Sequence, residues 1–250
     1  MVNLANYLTL DFSLAILAGF CGAYIRGFTG FGANLIWAPA LVTVIEPVQA
    51  VAIMGIVGLI STAQVALPIL KKVNWREIYP IIISSWITAP FGILILYDLN
   101  TENVRQIIGI FILIIACILI TGWRYTGERT GVKGRLAQIT TGGIAGWLAG
   151  FGGIGGPIPV LYSMAGSDHP SIQRANNIIT VSSMIPMVLL VLSYKGAITE
   201  ETIIQSAILL IPFTIGTWFG AHSFKYVSPR IFRKVVLILL ILIGTSALFL

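Results

Sequence analysis

The sequence predicts an all-α polytopic membrane protein of about ten helical segments, arranged as two inverted repeats. Three observations support this prediction. Hydrophobic residues make up 57% of the 250 residues and charged residues only 10%, whereas a soluble domain has about 25% charged residues. Long uncharged runs alternate with short charged clusters, and a glycine-rich segment occurs twice. This composition excludes a disordered chain, a disulfide scaffold and a typical cytosolic enzyme.

Six uncharged runs have a length compatible with a membrane-spanning helix, which needs about 20 apolar residues. These runs cover 47–70, 78–97, 106–123, 175–194, 202–224 and 235–250. Two further regions, 12–45 and 136–167, are too long for one helix and have centres rich in glycine and proline. We predict that each folds as a hairpin of broken helices, so that about six to eight long spans accompany the two hairpins.

The basic residues support the hairpins through the positive-inside rule. If both regions are hairpins, 13 of the 15 basic residues lie on the cytoplasmic side and only Arg105 and Lys195 lie outside. If each region crosses the membrane once, and Arg26 is left out of the count, only 8 basic residues lie on the cytoplasmic side and 6 lie outside. Both termini are therefore predicted on the non-cytoplasmic face. Hairpins that only re-enter the membrane give the same parity. The net charge of +6 is a topology signal, and no nucleic-acid partner is predicted.

The glycine-rich centres form an internal repeat. Residues 27–32 read GFTGFG and residues 150–155 read GFGGIG, at an offset of 123. Further features recur in the same order: Pro47 with Pro170, Pro90-Phe91 with Pro212-Phe213, and Val104-Arg105 with Phe232-Arg233. The chain then divides into a first transmembrane repeat (1–125), a cytoplasmic linker (126–133) and a second transmembrane repeat (134–250). Because each half has an odd number of segments, the second copy is inverted in the membrane.

Inverted repeats are typical of secondary transporters, and paired glycine-interrupted segments indicate the binding site. Such interruptions leave backbone N–H groups free at the start of the next helix, where anions bind. Arg26 is interpreted either as a counter-charge for an anion or as a snorkelling side chain. Close helix packing is the alternative for the glycines, and interhelical hydrogen bonding for the asparagines. The predicted substrate-binding residues are Arg26, Gly27, Gly30, Gly32, Asn34, Gly150, Gly153, Gly155, Gly156, Asn176 and Asn177.

The paired Gly-Phe-x-Gly-x-Gly elements, each leading to a proline (Pro39 and Pro159), resemble the TauE/SafE family, the sulfite exporters or 4-toluene sulfonate uptake permeases. The resemblance covers nearly the whole chain. It implies a multi-pass protein of the bacterial plasma membrane that transports small organosulfur or related anions. The chain departs from the family pattern at Gly32-Ala33-Asn34, at Arg26, whose counterpart is Ala149, and at the pair Asn176-Asn177.

The expected function is therefore secondary transport of small anions, namely sulfite, sulfonates or related organosulfur or carboxylate compounds, by alternating access, with no cofactor and no catalytic or metal site. The expected partners are a small anion and the lipid bilayer, and a coupling ion (proton or sodium) and a homodimer stay open. One alternative is a membrane thiol relay using Cys21 and Cys117. The other is a membrane-embedded enzyme, which needs a nucleophile with a base or two intramembrane carboxylates.

Overall fold

A computed structural model describes residues 9–121, 125–163 and 169–226, and all regular secondary structure in these ranges is helical. The α-helices of the described residues are α1 (Leu10–Thr29), α2 (Ala33–Val42), α3 (Pro47–Ala66), α4 (Trp75–Asp98), α5 (Thr101–Ile120), α6 (Gly131–Gly152), α7 (Pro157–Ser163), α8 (Pro170–Tyr194) and α9 (Glu200–Ser223). Two 3-10 segments, Leu67–Lys72 and Phe224–Tyr226, follow α3 and α9. The predicted span 235–250 lies outside the described residues.

Helices compatible with membrane spans confirm the predicted class of protein. Five stretches of the described chain are long and apolar enough to cross a bilayer: Leu10–Thr29, Pro47–Lys72, Trp75–Asp98, Ser171–Tyr194 and Glu200–Ser223. The helices α4, α8 and α9 begin two to five residues before the uncharged runs that predicted them. They do so because a helix continues beyond its apolar part, and polar residues near its end reach the membrane interface.

The two glycine-rich regions fold as a long helix followed by a short one, α1 with α2 and α6 with α7. At 1.5 Å per residue, the 10 residues of α2 are about 15 Å long. A helix of this length cannot cross a hydrocarbon core of about 30 Å. The length of α2 therefore favours the re-entrant form of the first hairpin.

The outward surface of the bundle is apolar, as a lipid-facing surface requires. Large side chains that pack against nothing include Ile87, Phe91, Leu190 and Ile211, each more than half exposed. The interior contains the polar exceptions, among them Arg26 and Arg174. The exposed apolar residues thus form the lipid surface, and the buried charged ones mark interior sites.

Glycines bring two helix pairs into backbone contact. The helix α1 packs along α9, and α6 packs along α4. A Cβ added to Gly27 would overlap the carbonyl oxygen of Thr217, and one added to Gly150 would overlap that of Ala89. The two contacted residues, Ala89 on α4 and Thr217 on α9, differ by 128 in residue number, whereas Pro90 and Pro212 differ by 122. The match of Pro90 with Pro212 therefore does not coincide with the positions of these two helix contacts, because the second half holds five more residues between its glycine motif and its contact residue.

Valine at a packed glycine should destabilise the protein strongly. A Cβ at Gly220 would overlap the carbonyl oxygen of Tyr24, so the helices α1 and α9 would have to separate. We expect Gly220→Val to lower the free energy of unfolding by about 2–3 kcal/mol or more. Gly109→Val on α5 is the matched control, because nothing lies within 4 Å of its added Cβ. Denaturation in detergent measures both, and equal stabilities of the two variants would contradict the packing role.

Candidate functional site: a cavity between two glycine breaks

Both helix breaks use glycine in the left-handed conformation. Gly30 ends α1 with φ 93°, and its N–H donates to the carbonyl of Arg26 at 2.7 Å. Gly32 precedes α2 with φ 90°. Gly153 ends α6 with φ 69°, and its N–H donates to the carbonyl of Ala149 at 3.0 Å. Residues with a Cβ rarely adopt such angles, so glycine is required at these positions.

A cavity of about 70 Å³ lies where the two breaks meet α3 and α8. One buried water needs a cavity of roughly 10–15 Å³, so this cavity has room for a small molecule of a few heavy atoms. Six of the predicted site residues line it: Arg26, Gly32, Asn34, Gly153, Gly155 and Gly156. Most of the remaining wall is apolar, with Met54, Val181, Met184 and Phe213 among its residues.

Arg26 is buried inside the helical bundle. Its side chain is 5% exposed, and its guanidinium donates to Ser61 Oγ at 2.7 Å, to Thr62 Oγ1 and to Ser182 Oγ at 3.1 Å. Ser182 is the thirteenth of the 25 residues of α8, so the guanidinium lies beside the middle of that helix. This position favours the interpretation of Arg26 as a buried interior charge over that of a snorkelling side chain. Within the described residues no carboxylate pairs with Arg26.

Asn34 connects the two breaks directly. Its side-chain Nδ2 donates to the carbonyl oxygen of Gly153 at 2.8 Å. Asn34 lies in the first turn of α2, and Gly153 ends α6. One hydrogen bond therefore joins the glycine break of the first half to that of the second half, at the wall of the cavity.

Three predicted glycines lie away from the cavity. Gly27 and Gly150 face the backbones of α9 and α4, so their bare Cα atoms serve helix packing. Gly30 faces α8, where an added Cβ would lie 3.1 Å from the carbonyl oxygen of Arg174. The geometry thus separates these glycines, which hold the helices together, from Gly32, Gly153, Gly155 and Gly156, which border the cavity.

The predicted pair Asn176-Asn177 also lies outside the cavity wall. Asn176 Oδ1 accepts from the backbone N–H of Asn74 at 2.8 Å, and its Nδ2 lies 3.4 Å from Glu77. Asn177 Oδ1 accepts from Ser163 Oγ at 2.6 Å. Both asparagines thus tie the beginning of α8 to neighbouring segments, the interhelical role that was the alternative to substrate binding.

A charged cluster lies where α7 ends and α4 begins. Arg129 pairs with Glu77 at 2.9 Å, and their side chains are 21% and 10% exposed. Arg129 also donates to the backbone carbonyls of Tyr162 and Ser163, the last residues of α7. We call Glu77, Arg129 and Asn176 the cytoplasmic cluster, since the basic residues around it are predicted on that side. It connects Tyr162 and Ser163 of α7 to α4 in the first half of the chain.

Sequence reasoning left out Ser61, Thr62 and Ser182, the hydroxyl partners of Arg26, which also donates to the carbonyl oxygen of Gly58 at 3.4 Å. Hydroxyl side chains are common in membrane helices, where they usually bond to their own backbone. Only the placement of α3 and α8 beside α1 distinguishes these three. The two cysteines of the thiol-relay alternative, Cys21 on α1 and Cys117 on α5, are exposed, and neither lines the cavity.

Comparison with known proteins identifies the class. Residues 15–247 match the family model described as sulfite exporter TauE/SafE. An alignment of 263 positions, gaps included, shows 24% identity to a protein of Methanocaldococcus jannaschii named as a "probable membrane transporter protein". The alignment covers 94% of each chain. No solved structure matches the chain significantly. It is a transport protein and not an enzyme. The chain belongs to the sulfite exporter TauE/SafE family of membrane transporters.

Proposed function

We propose that this protein is a secondary transporter of small anions, such as sulfite, sulfonates or related carboxylates, that binds them in the cavity between its glycine breaks. The observation that carries the proposal is Arg26, a buried cation in the cavity wall with no carboxylate partner in the described ranges. Ionisable residues at membrane depth commonly mark transport pathways. The substrate class rests on the family and on this charge.

An anion would compensate the desolvated charge of Arg26. Burying an unpaired charge costs several kcal/mol even when neutral groups solvate it in part. Serine and threonine hydroxyls supply dipoles but no negative charge. The start of α2 lies at the same cavity, and the first N–H groups of a helix lack intrahelical acceptors. A bound anion would thus meet the guanidinium and the positive end of α2.

We propose that transport uses two inverted repeats, 1–125 and 134–250, joined by the linker 126–133. The contact pattern supports this arrangement, since the first helix of each half packs along the fourth helix of the other half. The short helix α2 and the described part of α7 each follow a glycine break. Alternating access would move one repeat against the other around the cavity, as in other inverted-repeat transporters.

The cytoplasmic cluster is the proposed inner gate. Opening the cavity to the cytoplasm would separate the carboxyl end of α7 from α4, and the pair of Arg129 with Glu77 opposes this separation. We expect Arg129→Gln to favour the inward-open state and to raise cytoplasmic access to the cavity about fivefold or more. The reporter is Val181→Cys in the cavity wall, in a background without the native cysteines.

The rate of modification by a membrane-impermeant thiol reagent in inside-out vesicles measures this access. Lys133→Gln is the matched control, because Lys133 pairs with Glu128 at 3.5 Å with side chains 80% and 64% exposed. Exposed pairs contribute little energy, so its rate should equal that of the parent. Equal rates for Arg129→Gln and the parent would remove the cluster from the gate.

Transport itself is tested in proteoliposomes. Radiolabelled sulfite and methanesulfonate should accumulate along an imposed gradient, and excess unlabelled substrate should compete. We propose that the coupling ion is a proton or a sodium ion. A proton gradient and a sodium gradient are therefore imposed in separate experiments, and one of the two should drive accumulation of the anion. Folded protein that moves neither these anions nor small carboxylates would overturn the proposed function.

A further inference from the structure

Arg174 on α8 is a second arginine buried in the bundle, 8% exposed. Its Nε donates to the carbonyl oxygen of Phe28 at 3.1 Å, its Nη2 donates to that of Gly27, and its guanidinium lies 4.5 Å over the ring of Phe224. It is not part of the cavity wall, and no carboxylate of the described chain pairs with it. Its bonds to carbonyls suggest an electrostatic role.

The carbonyls that Arg174 contacts belong to the last turn of α1. Gly27 and Phe28 directly follow Arg26 along this helix, and the glycine break begins at Gly30. At a break, the negative end of one helix meets the positive end of the next. The carboxyl end of a helix carries about half a negative charge, which would repel an anion held at the start of α2. A cation on these carbonyls offsets that repulsion.

Among the described residues, no cation contacts the carbonyls of Gly150 or Phe151 at the second break in this way. At the offset of 123 that relates the two glycine motifs, Val51 occupies the position of Arg174, and Val51 lines the cavity. The helix α7 after the second break also has proline at 157 and 159, which carry no N–H. The two buried arginines of the described residues, Arg26 and Arg174, are thus both at the first break, and the two breaks differ in electrostatic character.

We propose that Arg174 is a positioning residue that acts through the carbonyls of Gly27 and Phe28, neutralises the negative end of α1 and makes the first break favourable for an anion in the cavity. This inference rests on the proposed function. It assigns the anion to the first break and gives the second break the structural role of closing the cavity.

A thiol in the cavity can measure this effect without any substrate. Ala33 is the first residue of α2 and lines the cavity, so Ala33→Cys is placed in a background with Cys21 and Cys117 replaced by serine. The pH dependence of alkylation by iodoacetamide, which is uncharged, gives the thiolate fraction. Removing the positive charge of Arg174, which acts on the thiolate through the low-dielectric protein interior, should lower the thiolate fraction about three- to tenfold.

Arg174→Gln is expected to produce this loss, and Arg174→Lys, which keeps the charge, should stay within about twofold of the parent. Arg174→Met keeps the length of the apolar stem and serves if the glutamine variant does not fold. An unchanged thiolate fraction in both neutral variants would overturn the inference. So would an equal loss in the lysine and glutamine variants, since that result assigns Arg174 to packing alone.

Thermal stabilisation by methanesulfonate separates this inference from the proposed function. We expect methanesulfonate to raise the unfolding temperature of the parent. Arg174→Gln should need at least about threefold more methanesulfonate for the same shift, and Arg174→Lys an intermediate concentration. If the thiol responds as expected but no anion stabilises the parent, the electrostatic role stands and anion binding fails. If methanesulfonate binds equally to all three proteins, the role of Arg174 is overturned while the proposed function stands.

Discussion

Replacing Arg26 by glutamine is expected to abolish anion binding while leaving the ligand-free protein as stable as the parent, or more stable. The guanidinium is buried against neutral hydroxyls, without a carboxylate in the described part of the chain. Glutamine removes the cost of burying a charge and keeps a hydrogen-bond donor for Ser61 and Ser182. Loss of a charge-assisted contact should weaken binding by at least about fiftyfold, or about 2.3 kcal/mol.

Thermal unfolding with and without methanesulfonate tests both parts of this prediction. At a concentration of 100 Kd a ligand stabilises the native state by about 2.7 kcal/mol, and with binding weakened fiftyfold this stabilisation should fall to about 0.7 kcal/mol or less in Arg26→Gln. Lys195→Gln is the control for a change in net charge, because Lys195 follows α8 and lies at its exposed end. A marked loss of ligand-free stability with unchanged ligand stabilisation would make Arg26 a purely structural residue.

Replacing Asn34 by aspartate is expected to weaken anion binding at least as strongly as replacing Arg26 by glutamine. Asn34 lines the cavity and donates to the carbonyl oxygen of Gly153. A carboxylate here would lose that bond, oppose the carbonyl and offer Arg26 an internal partner. Anion affinity should fall about a hundredfold or more, or about 2.7 kcal/mol. Asn34→Ala loses only the hydrogen bond and should lose less than about tenfold.

The pH dependence distinguishes charge from shape in this variant. Protonation makes the new carboxyl neutral, so methanesulfonate affinity in Asn34→Asp should recover as the pH falls through the pKa of that carboxyl. The parent should show no such recovery, since methanesulfonate keeps its charge. Titration by thermal shift or calorimetry measures the effect. Equal affinities for the aspartate and alanine variants at neutral pH would place the bound anion away from Asn34.

The positions of the glycine breaks could be predicted from the sequence because a break is a local property. Gly30, Gly32 and Gly153 adopt positive φ, which depends on the residue itself, and each interrupts a long apolar run. The lengths of the helices that follow the glycine breaks could not be predicted from the sequence. Whether α2 turns back before it crosses the membrane depends on the packing of its carboxyl end, where Arg105 donates to the carbonyl of Val42 at 2.7 Å.

The glycines show where a sequence pattern stops being informative. Gly27 and Gly32 belong to the same motif, yet the first packs against α9 and the second borders the cavity. Both have the composition and spacing expected of an anion-binding loop. Which one faces a neighbouring backbone depends on the rotation of α1 about its axis, and that rotation is fixed only when α9 packs against it.

The sequence by itself determined that this is a membrane protein, where its main helices run and that two similar breaks interrupt it, because hydropathy and glycine conformation act over short stretches of chain. Only the tertiary structure decided that Arg26 meets Ser61 and Ser182 and that Asn34 reaches Gly153. These partners lie up to 156 residues apart. They meet because the burial of one helix face against another selects their geometry, and no local pattern encodes that choice.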